Sequence, residues 1–136
     1  MAILVTGGAG YIGSHLVHEL VDAGEPVVIL DNLSTGFRFL VPSSVPFAVG
    51  STGDRELVKK LVAEHHVDSI VHFAASMVVP DSMRDPLGYY LNNTTNTTLL
   101  LDAAVDSGVE RFIFSSTAAV YGNPETLPVP ESAPTS

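Results

Sequence analysis

The sequence predicts an α/β fold, a doubly wound parallel sheet with helices on both of its faces. Short apolar runs alternate with amphipathic segments along the chain, which is the pattern of repeated strand–helix–strand units. Hydrophobic residues make up 46% of the chain and charged residues only 15%, as expected for strands that are buried on both faces. A glycine-rich turn also joins the first strand to the first helix, and this turn is typical of the Rossmann-type version of the fold.

The first strand–helix–strand unit, residues 4–31, contains that glycine turn. Gly7, Gly10 and Gly13 form a G-x-x-G-x-x-G pattern, and a G-x-G-x-x-G pattern begins at Gly8. A turn of this kind needs residues without side chains, because a pyrophosphate must approach the backbone amides closely. The free amides and the positive end of the helix dipole then favour a phosphate. The unit predicts a dinucleotide site, and purely structural glycines are the alternative.

The first helix is expected to pack one apolar stripe on the sheet and to end at Gly24. The stripe consists of Ile12, Leu16, Val17, Leu20 and Val21. His15, His18 and Glu19 lie off this stripe at a spacing that could hold a metal, but no second cluster of ligands accompanies them. We therefore predict a solvated helix face and no metal site.

An acid at the tip of the second strand predicts which dinucleotide binds. Asp31 follows Gly13 by 18 residues, where a carboxylate can accept hydrogen bonds from the adenosine ribose hydroxyls. A carboxylate there also repels a 2′-phosphate, and Arg38 is the only cation nearby, so NAD is predicted rather than NADP. The polar turn Asn32–Gly36 is predicted to wrap the adenosine, the alternative being an ordinary surface loop.

The rest of the chain continues the alternation of strands and helices. Predicted strands cover residues 45–49, 68–73 and 111–115, and predicted helices cover residues 54–65 and 87–107. Asp54 is expected to cap the earlier of these helices, a loop bracketed by Pro80 and Pro86 precedes the later one, and His72 is expected to be a core or strand-end histidine. At least one more strand normally follows five such strands, so residues 1–136 are predicted to be an incomplete dinucleotide-binding domain.

The predicted helix 87–107 has an unfavourable middle. Residues 92–98 consist entirely of Asn and Thr, whose helix propensity is poor, so tertiary packing must hold this part. One inward Asn is expected to hydrogen-bond a neighbouring loop near the cofactor.

Charge and composition exclude several classes of partner. With 15 Asp and Glu against 6 Lys and Arg, the net charge of -9 disfavours nucleic acid and anionic membranes. The absence of cysteine excludes disulfides and thiolate chemistry. No leader peptide and no apolar run long enough to cross a bilayer is recognisable, which favours a cytoplasmic protein.

Several blocks of the sequence resemble the extended short-chain dehydrogenase/reductase family, in particular its sugar-nucleotide epimerases. The resemblance covers the whole chain, and its most specific parts are the glycine turn of residues 6–15 and the adenosine loop of residues 31–36. Further blocks, in the family's order, are His72-Phe73-Ala74-Ala75, Tyr89-Tyr90 before Asn92-Asn93, and Phe114-Ser115-Ser116-Thr117 before Val120-Tyr121-Gly122.

The resemblance implies an NAD-dependent isomerase of galactose metabolism. Such an epimerase interconverts UDP-glucose and UDP-galactose through a 4-keto intermediate, and the full-length enzyme is expected to be a homodimer. Thr117 is the implied catalytic residue here, meeting the sugar hydroxyl. The family's Tyr-x-x-x-Lys pair and its substrate domain have no counterpart in the chain, since no Lys follows Tyr121 at the required spacing. This chain alone is therefore expected to bind and not to catalyse.

The resemblance also implies a set of residues that contact NAD. They are Gly7, Gly10, Tyr11, Ile12, Gly13, Asp31, Asn32, Ser34, Thr35, Gly36, Ser51, Thr52, Phe73, Ala74, Ala75, Met77, Asn92 and Ser115. Two positions depart from the family pattern. Gly50-Ser51-Thr52 stands where Gly-Asp-Ile is usual, so a hydroxyl replaces the acceptor for the adenine amino group, and Met77 stands where many epimerases carry a Lys near the nicotinamide.

Two alternative functions remain open. A nucleotide-sugar dehydratase or decarboxylase of the same family shares every block, although dehydratases carry an acidic pair where this chain has Ala118 and Ala119. A non-catalytic NAD-binding module is the alternative from a different class of protein. A Tyr-x-x-x-Lys motif downstream would favour the enzymes over the module.

Overall fold

The computed structural model describes residues 1–124 and 126–135 and contains one five-stranded parallel sheet. The strands are β1 (Ala2–Thr6), β2 (Val27–Asp31), β3 (Phe47–Val49), β4 (Val67–His72) and β5 (Arg111–Phe114). Their order in the sheet is β3-β2-β1-β4-β5, and every neighbouring pair is parallel. The predicted fold class, a Rossmann-type doubly wound sheet, is therefore confirmed.

Helices connect these strands. They are α1 (Tyr11–Asp22), α2 (Arg55–His65), α3 (Val79–Arg84), α4 (Pro86–Tyr90) and α5 (Asn96–Asp106), with 3₁₀ turns at Arg38–Leu40 and Ala118–Tyr121 and a π turn at Leu91–Thr95. Asp54 caps α2 as predicted, its carboxylate accepting from the Leu57 amide at 3.0 Å. His66, in a left-handed conformation, ends the same helix.

Each face of the sheet is covered by its own apolar layer, as a doubly wound fold requires. Helix α1 packs on one face through Val17, which is fully buried against Val5 and Ile29. Helices α2 and α5 pack on the other face, where Val58 and Leu100 are also fully buried. The central strands lie between two layers, which explains why their sequences are apolar at nearly every position.

The structure corrects several element predictions. The loop expected between Pro80 and Pro86 contains helix α3, and the helix expected over 87–107 is divided by the π turn into α4 and α5. Strand β3 begins at Phe47 rather than at residue 45, because Pro46 has no amide hydrogen to donate to a strand ladder. Ile12, expected on the buried stripe of α1, is 58% exposed because it lies in the first turn, at the edge of the sheet.

Candidate cofactor site

The candidate site lies at the carboxyl edge of the sheet, where β1 and β4 are neighbours. The chain leaves β1 toward β2 on one side, whereas β4 continues toward β5 on the other. Two backbone hydrogen bonds hold the edge together: the Gly7 amide donates to Leu30 O and the Phe73 amide to Thr6 O, both at 2.9 Å. Ligands of doubly wound folds bind in the crevice that opens at this reversal of strand order.

The glycine turn is packed tightly on one side and open on the other. Gly7 has φ 70°, and a Cβ there would lie 2.7 Å from the Ala74 amide nitrogen. A Cβ on Gly13 would overlap the Gly7 carbonyl oxygen. At Gly10, by contrast, a Cβ would meet only that oxygen, at 3.2 Å, so the space around it is open. The fold itself therefore requires glycine at positions 7 and 13, whereas Gly10 leaves room for a ligand.

The amino end of α1 is available to an anion. Its N-cap residue, Gly10, provides no side chain to cap the helix, and the exposed residues Tyr11 and Ile12 form the first turn. The first amides of a helix lack partners within the helix, and the dipole makes this end positive. The backbone thus offers hydrogen-bond donors toward the open side of Gly10, as a pyrophosphate site requires.

Asp31 organises the loops on the β2 side. Its side chain is buried at the end of β2, with Oδ2 accepting from the Ala9 amide at 2.9 Å and Oδ1 from the Leu33 amide at 2.8 Å. One carboxylate therefore ties the glycine turn to the loop after β2. Since a carboxylate has about four lone-pair positions, about two remain for further donors.

The loop after Asp31 is closely fitted to the glycine turn. Ser34 donates its amide to Asn32 Oδ1 at 3.0 Å, which closes a local turn. Gly36 packs so closely on Ala9 that a Cβ would lie 2.8 Å from its carbonyl atoms, while Thr35 is exposed. The predicted adenosine loop is therefore fixed against the glycine turn, and its contact with an adenosine stays a prediction.

Arg38, the cation nearest in sequence to Asp31, is engaged elsewhere. Its Nη1 donates to Val41 O at 3.2 Å and to Pro42 O at 3.4 Å. Its guanidinium also lies 4.7 Å from the centroid of the Phe47 ring. These contacts direct the cation toward the loop that precedes β3.

Two predicted contact residues follow β3 and differ in exposure. Ser51 is exposed, whereas Thr52 is buried. Ser51 Oγ accepts from the Gly53 amide at 3.1 Å and from Asn96 Nδ2 at 3.4 Å. Helix α5 therefore supports this loop through Asn96, a contact that the sequence analysis missed.

Asparagines of the π turn hold the loop after β4, which contains Phe73, Ala74, Ala75, Ser76 and Met77. Asn93 grips both backbone groups of Ser76: its Oδ1 accepts from the amide at 2.7 Å, and its Nδ2 donates to the carbonyl at 2.8 Å. Asn92 Nδ2 donates to Ser76 Oγ at 2.8 Å. An inward Asn was predicted, and Asn92 was named in the predicted site. Asn93 was not named, although it makes two hydrogen bonds to Ser76 where Asn92 makes one. The sequence feature that could have pointed to Asn93 is the poor helix propensity of residues 92–98, which requires tertiary contacts to hold this segment.

The loop after β5 brings Ser115 and Thr117 to the same edge. The Ser115 amide donates to His72 O at 3.1 Å, which continues the pairing of β5 with β4. Thr117 is exposed, and its Oγ1 accepts from the Ala119 amide at 3.1 Å at the start of a 3₁₀ turn. The backbone amide thus occupies one acceptor position of the hydroxyl, and its proton remains free to be donated.

His72 is confirmed as a buried strand-end histidine and lies directly beneath the site. Its Nδ1 is 2.6 Å from Thr6 Oγ1, and its Nε2 is 3.0 Å from Thr97 Oγ1, so it connects β1, β4 and α5. The rings of Phe112 and Phe114 lie 5.8 and 5.9 Å from the imidazole, centroid to centroid. Burial lowers the pKa of His72 to about 4, so the ring is neutral at pH 7.

The described residues contain no cluster of three or more His, Asp or Glu side chains able to hold a metal ion. Within residues 1–124 and 126–135, no helix has the length and apolar character needed to cross a bilayer.

Comparison with protein families identifies the group to which this site belongs. The NAD dependent epimerase/dehydratase family matches residues 3–136. The chain belongs to this family. Its glycine turn, Asp31 and the loops after β2 and β4 are therefore those of a family whose description includes NAD.

Individual relatives are similar over the same range. UDP-glucose 4-epimerase from Azospirillum brasilense is 53% identical over 133 residues, which cover 98% of this chain and 38% of that protein. The Thermus thermophilus UDP-glucose 4-epimerase in complex with NAD is 40% identical with a TM-score of 0.86, covering 100% of this chain and 44% of that structure. UDP-glucose 4-epimerase from Stenotrophomonas maltophila, with bound NAD and formylated UDP-arabinopyranose, gives the same identity and TM-score, with 100% and 43% covered.

The chain thus spans about two fifths of the length of the relatives it matches. The comparisons confirm the predicted family, its Rossmann-type fold and NAD as the family's cofactor. Which residues of this chain contact the cofactor stays a prediction, supported by the geometry of the edge.

Proposed function

We propose that residues 1–136 form the NAD-binding part of a UDP-glucose 4-epimerase-like enzyme. The observation that carries the proposal is the carboxyl edge, where an open glycine turn, an uncapped helix end and the buried Asp31 carboxylate lie together. Supporting it, relatives described as UDP-glucose 4-epimerases are 43–53% identical over nearly the whole chain. The remaining part of such an enzyme would supply the substrate domain.

The residues at this edge fit a dinucleotide. The amides that start α1 would hold the pyrophosphate, and the free lone pairs of Asp31 would accept from the adenosine ribose. The small side chains of Ala74 and Ala75 leave the loop after β4 open at the far end, beside Gly7. Because Arg38 is engaged with carbonyl groups and Phe47, nothing in the loop after β2 offsets the repulsion between Asp31 and a 2′-phosphate.

Thr117 is the proposed catalytic residue of this chain. In an epimerase, NAD held at this edge would supply reversible hydride transfer at carbon 4 of the sugar. The Thr117 hydroxyl, exposed at the end of β5, would donate its free proton in a hydrogen bond to the reacting sugar oxygen and so orient it. The base that removes the hydroxyl proton is expected from the Tyr-x-x-x-Lys pair of the complete enzyme.

Cofactor choice tests the binding part of the proposal. Titration calorimetry should show NAD binding with at least tenfold preference over NADP. Asp31→Ala should reduce NAD affinity by roughly ten- to a hundredfold, the effect of losing a charged hydrogen bond of about 1–3 kcal/mol. Asp22→Ala, an exposed position at the end of α1, is the matched control and should leave the affinity unchanged. Equal affinity of the wild-type protein for the two cofactors would contradict the proposal.

The reaction itself requires the complete enzyme, assayed for conversion of UDP-galactose into UDP-glucose without net NADH release. A dehydratase would instead accumulate a 4-keto product, and the small residues after Thr117, Ala118 and Ala119, argue against it because they provide no acid. A non-catalytic module would bind NAD with no turnover. A homodimer stays a prediction from the family resemblance, and a cytoplasmic location stays a prediction from the sequence pattern.

A further inference from the structure

The hydroxyl of Ser51 is committed to donating a hydrogen bond outward. A serine hydroxyl has one proton to donate and two lone pairs that accept. Both lone pairs of Ser51 already face donors of the protein, the Gly53 amide at 3.1 Å and Asn96 Nδ2 at 3.4 Å. The residue is exposed, so its remaining proton points away from these two groups toward whatever binds at the end of β3.

The orientation of Asn96 is fixed by a chain of amides that starts at a backbone group. The Ser76 amide can only donate, so the atom of Asn93 that it meets at 2.7 Å must be Oδ1. Asn92 therefore turns its Nδ2 toward that oxygen, at 3.5 Å, and toward Ser76 Oγ at 2.8 Å. Its Oδ1 then faces Asn96, whose Nδ2 lies 3.4 Å away.

The same Nδ2 of Asn96 also donates to Ser51 Oγ. The assignment of donors and acceptors that begins at the Ser76 amide therefore extends to the loop after β3. The opposite side of the Asn96 amide, Oδ1, occupies the space beside Gly53, where a Cβ would overlap it. Reversing the Asn96 amide would place an acceptor against Asn92 Oδ1 and break the sequence of donors and acceptors. Ser51 consequently receives a hydrogen bond from α5 and does not donate one to it.

Ser51 lies where the purine of a dinucleotide would rest. The last residue of β3, Val49, pairs with Asp31, and the Gly50 amide donates to Asp31 O at 3.0 Å. A base attached to a ribose held by Asp31 would therefore extend toward Ser51. Thr52, the next residue, is buried, whereas Ser51 is exposed. This step rests on the proposed function, because it requires a dinucleotide at this edge.

We propose that Ser51 determines the base specificity of the site by donating a hydrogen bond to the group at position 6 of the purine, with Asn96 as the positioning residue that makes it a donor. The 6-amino group of adenine is itself a donor and finds no acceptor in Ser51. The 6-oxo group of hypoxanthine is an acceptor and matches it. The site therefore takes a hypoxanthine dinucleotide as readily as an adenine dinucleotide.

Titration calorimetry on the complete protein, with NAD and nicotinamide hypoxanthine dinucleotide as probes, tests the inference. The wild-type protein should bind the hypoxanthine form as tightly as NAD, within threefold, or more tightly. A hypoxanthine form that binds more than threefold more weakly than NAD overturns the inference and leaves the proposed function intact. Failure of both dinucleotides to bind overturns the proposed function itself.

Variants show whether the ratio of affinities for the two dinucleotides depends on the Ser51 side chain itself or only on the charge of the protein. Ser51→Asp supplies an acceptor only, so the affinity ratio should shift at least tenfold toward NAD. Ser44→Asp, the matched control, adds the same charge at the opposite end of the sheet, before β3, and should leave the ratio unchanged. Asn96→Ala frees one lone pair of Ser51 and should shift the ratio about threefold toward NAD, with folding checked by melting temperature. An unchanged ratio in both Ser51→Asp and Asn96→Ala overturns the inference.

Discussion

The two sides of the carboxyl edge are built from different parts of the chain. On the β1–β2 side most of the close contacts are between backbone atoms. Gly7 and Gly13 allow the glycine turn, the start of α1 and the loop after β4 to meet closely. One carboxylate, Asp31, connects the glycine turn to the loop after β2. On the β4–β5 side, side-chain amides and hydroxyls hold the loops, with Asn93 gripping Ser76 and Asn92 bridging to Asn96.

This difference shows why the two sides respond differently to substitution. A backbone site made by glycines cannot adapt, because an added Cβ collides with main-chain atoms that have no other place to go. A site made by side chains consists of separate hydrogen bonds, each of which contributes a modest net stabilisation of roughly 0.5–1.5 kcal/mol. We expect abrupt losses on the β1–β2 side and graded ones on the β4–β5 side.

The largest effect is expected at Gly10. Gly10→Val places a side chain in the open space at the start of α1, where the pyrophosphate would lie, and should reduce NAD affinity by about a hundredfold or more. Calorimetry with NAD measures the loss, and circular dichroism should show an intact sheet. Undiminished affinity would mean that these glycines serve the fold alone.

Gly13→Ala provides the contrast within the same turn. Its Cβ would overlap the Gly7 carbonyl, so the substitution should lower the free energy of unfolding by roughly 1–3 kcal/mol. Chemical denaturation of the two variants side by side should show a much larger loss of stability for Gly13→Ala than for Gly10→Val. The reverse order would contradict the division of roles between the two glycines.

A substitution at Thr117 tests whether a side chain on the β4–β5 side contributes to the reaction rather than to cofactor binding. Thr117→Val keeps the β-branched shape and removes the hydroxyl, so epimerase turnover should fall by about ten- to a thousandfold, the effect of losing one well-placed polar group in a transition state. NAD affinity should hardly change, because this hydroxyl is proposed to meet the sugar. Steady-state kinetics of the complete enzyme, with NAD titration as the control, measures both. Wild-type turnover would show that Thr117 only starts the 3₁₀ turn.

His72 connects the two sides and should make stability depend on pH. Its pKa is about 4 in the folded protein and 6.5 when unfolded, so between these values the unfolded chain binds more protons. Stability should therefore fall as pH falls from 6.5 to 4, and His72 should account for roughly 3 kcal/mol of the loss. Urea denaturation from pH 4 to 7 measures this, with His72→Asn expected to show a shallower slope. Equal slopes would contradict the assignment.

The smallest effect is expected at Asn93. Asn93→Ala removes two hydrogen bonds to Ser76 and should lower stability by about 1–2 kcal/mol, with faster hydrogen exchange of the Ser76 amide. Thr94→Ala, an exposed neighbour in the same π turn, is the matched control. Unchanged exchange at Ser76 would show that packing, rather than Asn93, holds the loop after β4.

Several features were predictable because each depends on residues close together in the chain. Gly7, Gly10 and Gly13 specify a turn by their own lack of side chains, and Asp31 ends a strand of uniformly apolar residues. The apolar pattern likewise predicted five parallel strands, since strands covered on both faces are apolar throughout. These local signals are sufficient for the fold class, and they are the basis for predicting a dinucleotide site on the β1–β2 side.

Other features depend on contacts between distant segments, which only the tertiary structure decided. Asn93 lies 17 residues from Ser76, and Asn96 lies 45 residues from Ser51. Asn92 and Asn93, both in the π turn Leu91–Thr95, each hydrogen-bond Ser76, and no pattern of neighbouring residues predicts that pairing. The burial that lowers the pKa of His72 likewise comes from its packing between β1 and α5. A sequence pattern specifies the geometry of neighbouring residues. Which side-chain groups donate and which accept across the carboxyl edge is decided only when the distant segments pack together.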